Sequence, residues 1–264
     1  MRIIPFVGYR TQGHILLRGQ VINQEYHEPI RSASWWQNLR SNISRVFAKG
    51  RRGVRLDVSY GGQTRHVTTM KKGFFTASFP VSGTKWTQAT ITHQDERLQT
   101  PVLASFSGDG IISDVDDTLL TSHATHWLKR LRLLLFKNPL TRREVKDMPA
   151  LLHASKAQPF YVSNSTWELY DLIIDFLRAQ RLPPGPLLLS DHRLLSLRHA
   201  KKDKTARIEQ ILAGYPEQQF FLLGDDGQSD PQVYKRLAKR YPDRIKAILI
   251  RASSSRSARK TRAA

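Results

Sequence analysis

Apolar and polar residues alternate with a period of two through Val54-Arg55-Leu56-Asp57-Val58-Ser59-Tyr60, and again at Phe75, Ala77 and Phe79. That period sends successive side chains to opposite faces of an extended chain, so both stretches are predicted to be half-buried β-strands. Ile15 to Ile22 is a further β-type stretch, with Gly19 read as a bulge position. Gly61-Gly62 and Lys72-Gly73 supply turn chemistry between strands. Several short strands at close spacing predict a small β-sandwich over residues 1–105. One segment breaks the pattern: SWWQNLRSNISRVFAK, at 34–49, reads as an amphipathic helix.

From about residue 106 the period changes. Gly110-Ile111-Ile112-Ser113, Phe160-Tyr161-Val162, Leu187-Leu188-Leu189, Phe220-Phe221-Leu222-Leu223 and Ala247-Ile248-Leu249-Ile250 are short, continuous apolar runs. Helical stretches are predicted between them, at 166–180, 204–213 and 231–240. Strands that are apolar on both faces and alternate with helices make a parallel sheet covered on each side. The predicted fold class is therefore α/β: a doubly wound parallel sheet over 106–250, preceded by the β-rich domain of 1–105. The Ser/Arg/Lys/Ala-rich stretch 251–264 reads as a basic disordered tail.

Charge narrows the partners. Among 264 residues, 42 are Lys or Arg and 22 are Asp or Glu, a formal charge of +20. Such a field attracts nucleic acid, anionic lipid or phosphorylated substrates, or serves solubility alone. The absence of cysteine excludes disulfide and thiolate chemistry. No run reaches the roughly 20 apolar residues of a membrane-spanning helix, and MRIIPFVGYR carries a proline and a charge too early for a signal-peptide core. The expected location is the cytoplasm, with contact to a membrane from one side. Nothing in the sequence sets an oligomeric state.

Ligands of open α/β sheets bind at the carboxyl ends of the strands, so the residues that follow each strand carry the chemistry. After the first comes Asp114-Val115-Asp116-Asp117-Thr118, after the second Ser163-Asn164-Ser165, and after the fourth Gly224-Asp225-Asp226-Gly227-Gln228-Ser229-Asp230. Carboxylates held this close repel and raise one another's pKa unless a cation sits among them. An all-oxygen site of carboxylates, water and phosphate oxygen suits Mg²⁺, and a nearby lysine suits a phosphate oxygen.

These residues resemble the haloacid dehalogenase superfamily of phosphatases. Its first motif is matched by Asp114, Asp116 and Thr118, its second by Ser163, its third by Lys204 and its fourth by Asp225 and Asp230. The segments Gly110–Thr118, Tyr161–Tyr170, Pro183–Leu189 and Leu222–Pro231 are similar, more narrowly, to the App1-type phosphatidate phosphatase catalytic domain. The resemblance covers roughly 105–250, and Pro5-Phe6-Val7-Gly8-Tyr9-Arg10 resembles the start of that family's upstream β domain. Asp226 departs from the small residue expected there, and 34–49 has no counterpart. The resemblance implies that Asp114 is the nucleophile, Asp116 the general acid and base, and Ser163 and Lys204 the groups that hold the transferring oxygens. Thr118, Asn164 and Ser165 would contact substrate. Mg²⁺ would be held by Asp114, the Asp116 carbonyl and Asp225, with Asp230 ordering its water shell. The implied reaction is hydrolysis of a phosphomonoester, phosphatidic acid to diacylglycerol, through an aspartyl-phosphate.

Plainer readings compete at several of these positions. Asp117-Thr118 and Ser163 are also helix-cap residues, Lys201 and Lys202 compete with Lys204, and Asp230-Pro231 is a helix-start signal. His123, His126, His192 and His199 lack zinc-ligand spacing. Trp167 and Tyr170 either line a pocket or pack on a helix. Residues 126–137, HWLKRLRLLLFK, form a basic amphipathic stretch that either docks on anionic lipid, with Trp35, Trp36 and the basic run 40–55, or packs on the sheet. Other function classes are a phosphatase of soluble or nucleic-acid phosphomonoesters and a non-catalytic anionic-lipid-binding module. The latter conflicts with the presence of both Asp114 and Asp116. Nucleic acid is the less expected partner, because no aromatic–basic RNA-binding motif is present.

Overall fold

The computed structural model describes residues 1–23, 49–115, 148–191, 200–225 and 230–251. The predicted helix at 34–49, except Lys49, the stretch 126–137 and residues 252–264 of the expected tail lie outside them. Arg251, expected in that tail, is instead the last residue of a strand.

The architecture is mixed α/β, built on two sheets. The first has eight strands: β1 (Arg2–Pro5), β2 (Gly8–Thr11), β3 (His14–Ile22), β4 (Arg55–Tyr60), β5 (Gln63–Thr68), β6 (Phe74–Pro80), β7 (Trp86–His93) and β8 (Glu96–Leu103). Their order is β1-β3-β2-β8-β7-β4-β5, with β6 on the far edge of β3. The long β3 pairs with β1 through its second half, with β2 through its first half and with β6 on its other side. The sheet therefore curls around one core of Ile15, Leu17, Leu56, Val58, Phe75, Phe79 and Ile91. The period-two alternation predicts that inward set: Phe75, Ala77 and Phe79 are buried while Thr76 and Ser78 face out. Gly61 and Gly62, at φ 56° and 78°, make the two-residue turn between β4 and β5, a backbone that few other residues adopt. Gly19 is not a bulge. It pairs in register with Pro5 and with Phe75, and it is glycine because a Cβ there would collide with the Phe75 ring.

The second sheet has five strands, β9 (Gly110–Asp114), β10 (Gln158–Thr166), β11 (Leu187–Ser190), β12 (Phe220–Asp225) and β13 (Ile245–Arg251), in the order β11-β10-β9-β12-β13. Every pairing is parallel. Helices α1 (Met148–Ser155) and α2 (Tyr170–Ala179) pack on one face; α3 (Ala200–Gly214) and α4 (Asp230–Arg240) pack on the other. Apolar runs alternating with helices thus give a parallel sheet covered on both sides, as the pattern predicts. The predicted helix 166–180 starts later, because β10 runs on to Thr166 and Trp167–Leu169 form a single 3-10 turn. α2 stops where Arg181 takes a positive φ of 54° and Leu182 N–H returns to the Leu177 carbonyl at 3.0 Å, just before Pro183-Pro184.

The two sheets share their cores. Ile4, Phe6 and Ile22 join the cluster under α2, and Tyr9, Leu16 and Leu103 join the cluster under α3. Phe6 stacks on both Trp167 and Tyr170, at centroid distances of 5.2 and 3.9 Å, and those two rings stack on each other at 6.2 Å. Polar groups complete the seam: Val7 N–H donates to the Tyr170 hydroxyl (2.8 Å), and Arg10 N–H to that of Tyr215 (3.1 Å). The Tyr215 hydroxyl in turn donates to the Leu103 carbonyl at 2.7 Å. Among the described residues no helix is long and apolar enough to cross a membrane.

Candidate functional site

β9 is the central strand, and the chain leaves it to opposite sides: first to β10 and β11, later to β12 and β13. The carboxyl end between β9 and β12 is thus the point where the winding reverses, which is where open α/β sheets bind ligands. Register sets what meets there. Asp114 pairs with Val162 and Ser113 with Leu223. Ser163 is therefore one step, and Asp225 two steps, past the β9 partners, both on strands flanking Asp114. The sequence-predicted Asp114, Ser163 and Asp225 fall on one edge of the sheet.

Lys204 arrives from α3. That helix presents Lys204, Arg207, Ile208, Ile211 and Leu212 on its sheet-facing stripe, at the i, i+3/i+4, i+7/i+8 spacing of one helix face, and Tyr215 just past its end continues the stripe. The apolar members dock on the sheet and so carry Lys204 into the interior at its carboxyl end. Its Nζ lies 3.1 Å from Asp114 Oδ1, with side-chain exposures of 1% and 0%. The same ammonium sits 5.7 Å from the Tyr234 ring centroid, and the Tyr234 hydroxyl is fixed on the Leu223 carbonyl at 3.2 Å. A buried charge pair is costly to desolvate and persists where its partners are held in place. This one is held by the central strand and a docked helix.

The β10 end is a polar turn. Ser163 is buried, and its Oγ accepts the Ser165 N–H at 2.9 Å. It serves as a local turn acceptor rather than the helix cap that its residue type also allows. Asn164 accepts a hydrogen bond from Arg207 Nη2 at 3.0 Å. Arg207, 8% exposed, is a second buried cation at the site that motif reading passes over. Its only sequence signal is the i, i+3 spacing from Lys204 on an otherwise apolar stripe.

Of the remaining predicted site residues, Asp225 ends β12 and Asp230 opens α4 with Pro231 behind it, which bears out the helix-start reading. Asp116, Asp117, Thr118, Asp226 and the four histidines at 123, 126, 192 and 199 lie outside the described residues. Trp167 and Tyr170 both stack on Phe6, in the connection between β1 and β2, and Trp167 also lines a cleft.

Fold and site together define an α/β protein with a buried carboxylate–lysine pair at the winding reversal of a parallel sheet. Residues 109–252 match the family described as Phosphatidate phosphatase APP1, catalytic domain. That stretch is more than half of the chain, and the chain belongs to this family. It is 29% identical over 156 residues to the Phosphatidate phosphatase APP1 of Saccharomyces cerevisiae, covering 56% of this chain and 26% of that protein. An uncharacterized protein of Schizosaccharomyces pombe is 28% identical over 160 residues, 58% of this chain and 26% of its own length. The chain thus spans about a quarter of the length of these relatives. Among solved structures, a carbohydrate acetylesterase from Xanthomonas citri aligns over 93% of this chain and 66% of its own at 11% identity, with a TM-score of 0.31, too slight a likeness to carry an argument.

Proposed function

We propose that this chain hydrolyses phosphatidic acid to diacylglycerol and phosphate, with Asp114 as the nucleophile. The observation that carries the reading is the buried Asp114–Lys204 pair at the carboxyl end of the central strand. Membership of the family named for phosphatidate phosphatase supports the substrate. In the same reading the parallel sheet of 106–250 is a haloacid-dehalogenase-like phosphatase domain, and the curled sheet of 1–105 stands in the place of the expected sandwich domain.

Asp114 Oδ attacks phosphorus, forming a P–O bond to the carboxylate as the bond to the glycerol oxygen breaks. Asp116 gives that oxygen its proton, then takes one from the water that attacks the aspartyl-phosphate, releasing phosphate and restoring Asp114. Lys204 sits against Asp114 before attack and faces the phosphoryl oxygens during it. Ser163 and the Asn164–Arg207 pair set the polar wall beside β9, with Ser165 and Thr118 as the further substrate contacts. The donors at this edge are oxygens, which fit Mg²⁺: Asp114, the Asp116 carbonyl and Asp225 would hold it, and Asp230 would order its water. When bound, the ion offsets negative charge on the phosphoryl group. The formal charge of +20 supports a chain that works in the cytoplasm against an anionic membrane surface.

Phosphate release from phosphatidic acid in mixed micelles, with Mg²⁺ or EDTA, tests the reading on wild type and Asp114→Asn. Release that needs Mg²⁺ and falls by about 10³-fold or more in the variant is expected. Asp114-dependent turnover of phenyl phosphate without release from lipid would keep the phosphatase and discard the lipid. Turnover of neither would favour a binding module.

A further inference from the structure

Between the two sheets lies a cleft of about 490 Å³, within the roughly 300–1,000 Å³ of small-molecule sites. One wall is the curled sheet, with Arg18 on β3, Met70, Lys71 and Lys72 before β6, and Phe74, Phe75 and Thr76 on it. The other is the carboxyl end of the parallel sheet, with Trp167 and Glu168 after β10 and Ser190 and Asp191 at the end of β11. The cleft therefore opens on the same end of the parallel sheet as Asp114. Strands lie about 4.8 Å apart, so β11, two strands from β9, stands roughly 10 Å to the side of the carboxylate.

Its chemistry is amphipathic. Phe6, Phe74, Phe75, Trp167 and the exposed Met70 supply the apolar surface. Two of the lining residues carry further donors, Trp167 Nε1–H and Arg18 Nε–H. Both are buried, and neither has an acceptor among the described residues. Trp167 is 8% exposed, and the Arg18 guanidinium lies over its ring at 5.3 Å. Buried donors are normally satisfied, so a pair left without acceptors beside an apolar floor marks where a bound group supplies them. A second phosphate does not fit that role. Arg18 lies 3.7 Å from Asp191, and Lys72 is ion-paired to Glu168, so acids of the opposite wall already match these cations. Uncharged acceptors attached to hydrocarbon do fit.

We infer that the cleft between the sheets binds the ester-linked acyl part of a glycerophospholipid, whose ester carbonyl accepts from Trp167 and Arg18 while its hydrocarbon lies on Phe6, Phe74 and Met70. The inference rests on the phosphatidate reading: with the phosphate at Asp114, the glycerol spans the intervening distance and an acyl ester enters the cleft. The curled sheet is then one half of the lipid site.

Binding of dihexanoylglycerol, which has the esters and no phosphate, separates this inference from the phosphatase reading. Calorimetric titration is made on the whole chain, on Trp167→Phe, which keeps the ring and removes the N–H, and on Thr76→Tyr, which fills the cleft from an exposed position on β6. Wild type is expected to bind, and each variant to weaken binding by about tenfold with an unchanged melting temperature for Thr76→Tyr. With dihexanoyl phosphatidate as substrate, Thr76→Tyr is expected to raise KM more than it lowers kcat. Absence of dihexanoylglycerol binding by wild type, or equal binding by wild type and both variants, overturns the inference. Cleft-dependent binding in a chain that releases no phosphate upholds the acyl site and brings down the assignment of Asp114.

Discussion

Lys204 and Asp114 each give up nearly all their hydration in the fold, and the attraction between such a pair seldom exceeds what that desolvation costs. Two well-packed neutral residues of similar shape would serve stability as well, and the proposed function gives the charged oxygen beside a cation a use. The consequence is testable without substrate. Lys204→Met removes the cation 3.1 Å from a fully buried carboxylate and is expected to destabilise the fold by about 3–5 kcal/mol. Adding Asp114→Asn removes the charge that the first substitution exposes to a dry interior, so the double variant should recover most of that loss. Urea unfolding midpoints of the four proteins close the cycle. A double variant as unstable as the sum of its parts would mean that Lys204 acts through packing of its stem, not through the pair.

At the scale of elements, α3 positions the chemistry, and its far end is held as tightly as its near end. Arg244, just before β13, donates from Nη2 to the carbonyls of Leu212 and Tyr215, at 3.1 and 2.6 Å, and from Nε to Gln218 at 2.9 Å. The Leu212 carbonyl is one that a helix C-terminus leaves without a partner, and a cation there also opposes the helix dipole. Arg244→Met should cost about 2 kcal/mol of stability and lower the melting temperature; a change near zero would show that water caps this end equally well. How α3 was legible in the sequence is instructive. Its apolar stripe has the helical period, and the same period places Lys204 in phase with Ile208 and Ile211. The core strands were equally plain, because a strand buried on both faces writes a continuous apolar run. What local pattern missed has local causes. β1, β2, β5, β7 and β8 carry no clean alternation: β5 has no fully buried residue, and β7 buries only Ala89 and Ile91. Gly19 was misread because a glycine in a strand marks either a bulge or a close approach, and only the position of Phe75 on another strand decides between them. Arg207 escaped because no motif contains it; its role depends on where the β10 turn brings Asn164.

At the scale of the molecule, the sheets are joined by tyrosines, a relation between distant segments that no local period encodes. Val7 and Tyr170, or Arg10 and Tyr215, meet across more than 160 residues of chain. These hydroxyls, like those of Tyr9 and Tyr161, sit in the interior, and burial, the largest influence on each, raises their pKa: Tyr9 to about 12, and Tyr161, Tyr170 and Tyr215 further up. An unfolded tyrosine ionises near pH 10. A group whose pKa is higher in the fold than in the unfolded chain leaves stability intact below the unfolded value and withdraws it as pH rises toward the folded one. Each such tyrosine therefore removes about 1.4 kcal/mol per pH unit above pH 10. The urea midpoint is expected to hold steady to about pH 9.5 and then to fall steeply. Lysine deprotonation changes the net charge over the same range, but it does so equally in parent and variant. The discriminating measurement is thus the slope for Tyr215→Phe. That variant loses the hydrogen bonds to Arg10 and Leu103 and starts less stable at pH 7, by about 1–2 kcal/mol. Above pH 10 its midpoint should nevertheless fall more gently than the parent's, by one proton's worth of slope. Parallel slopes would mean that the seam opens before Tyr215 titrates, so that the two sheets part as separate units ahead of global unfolding.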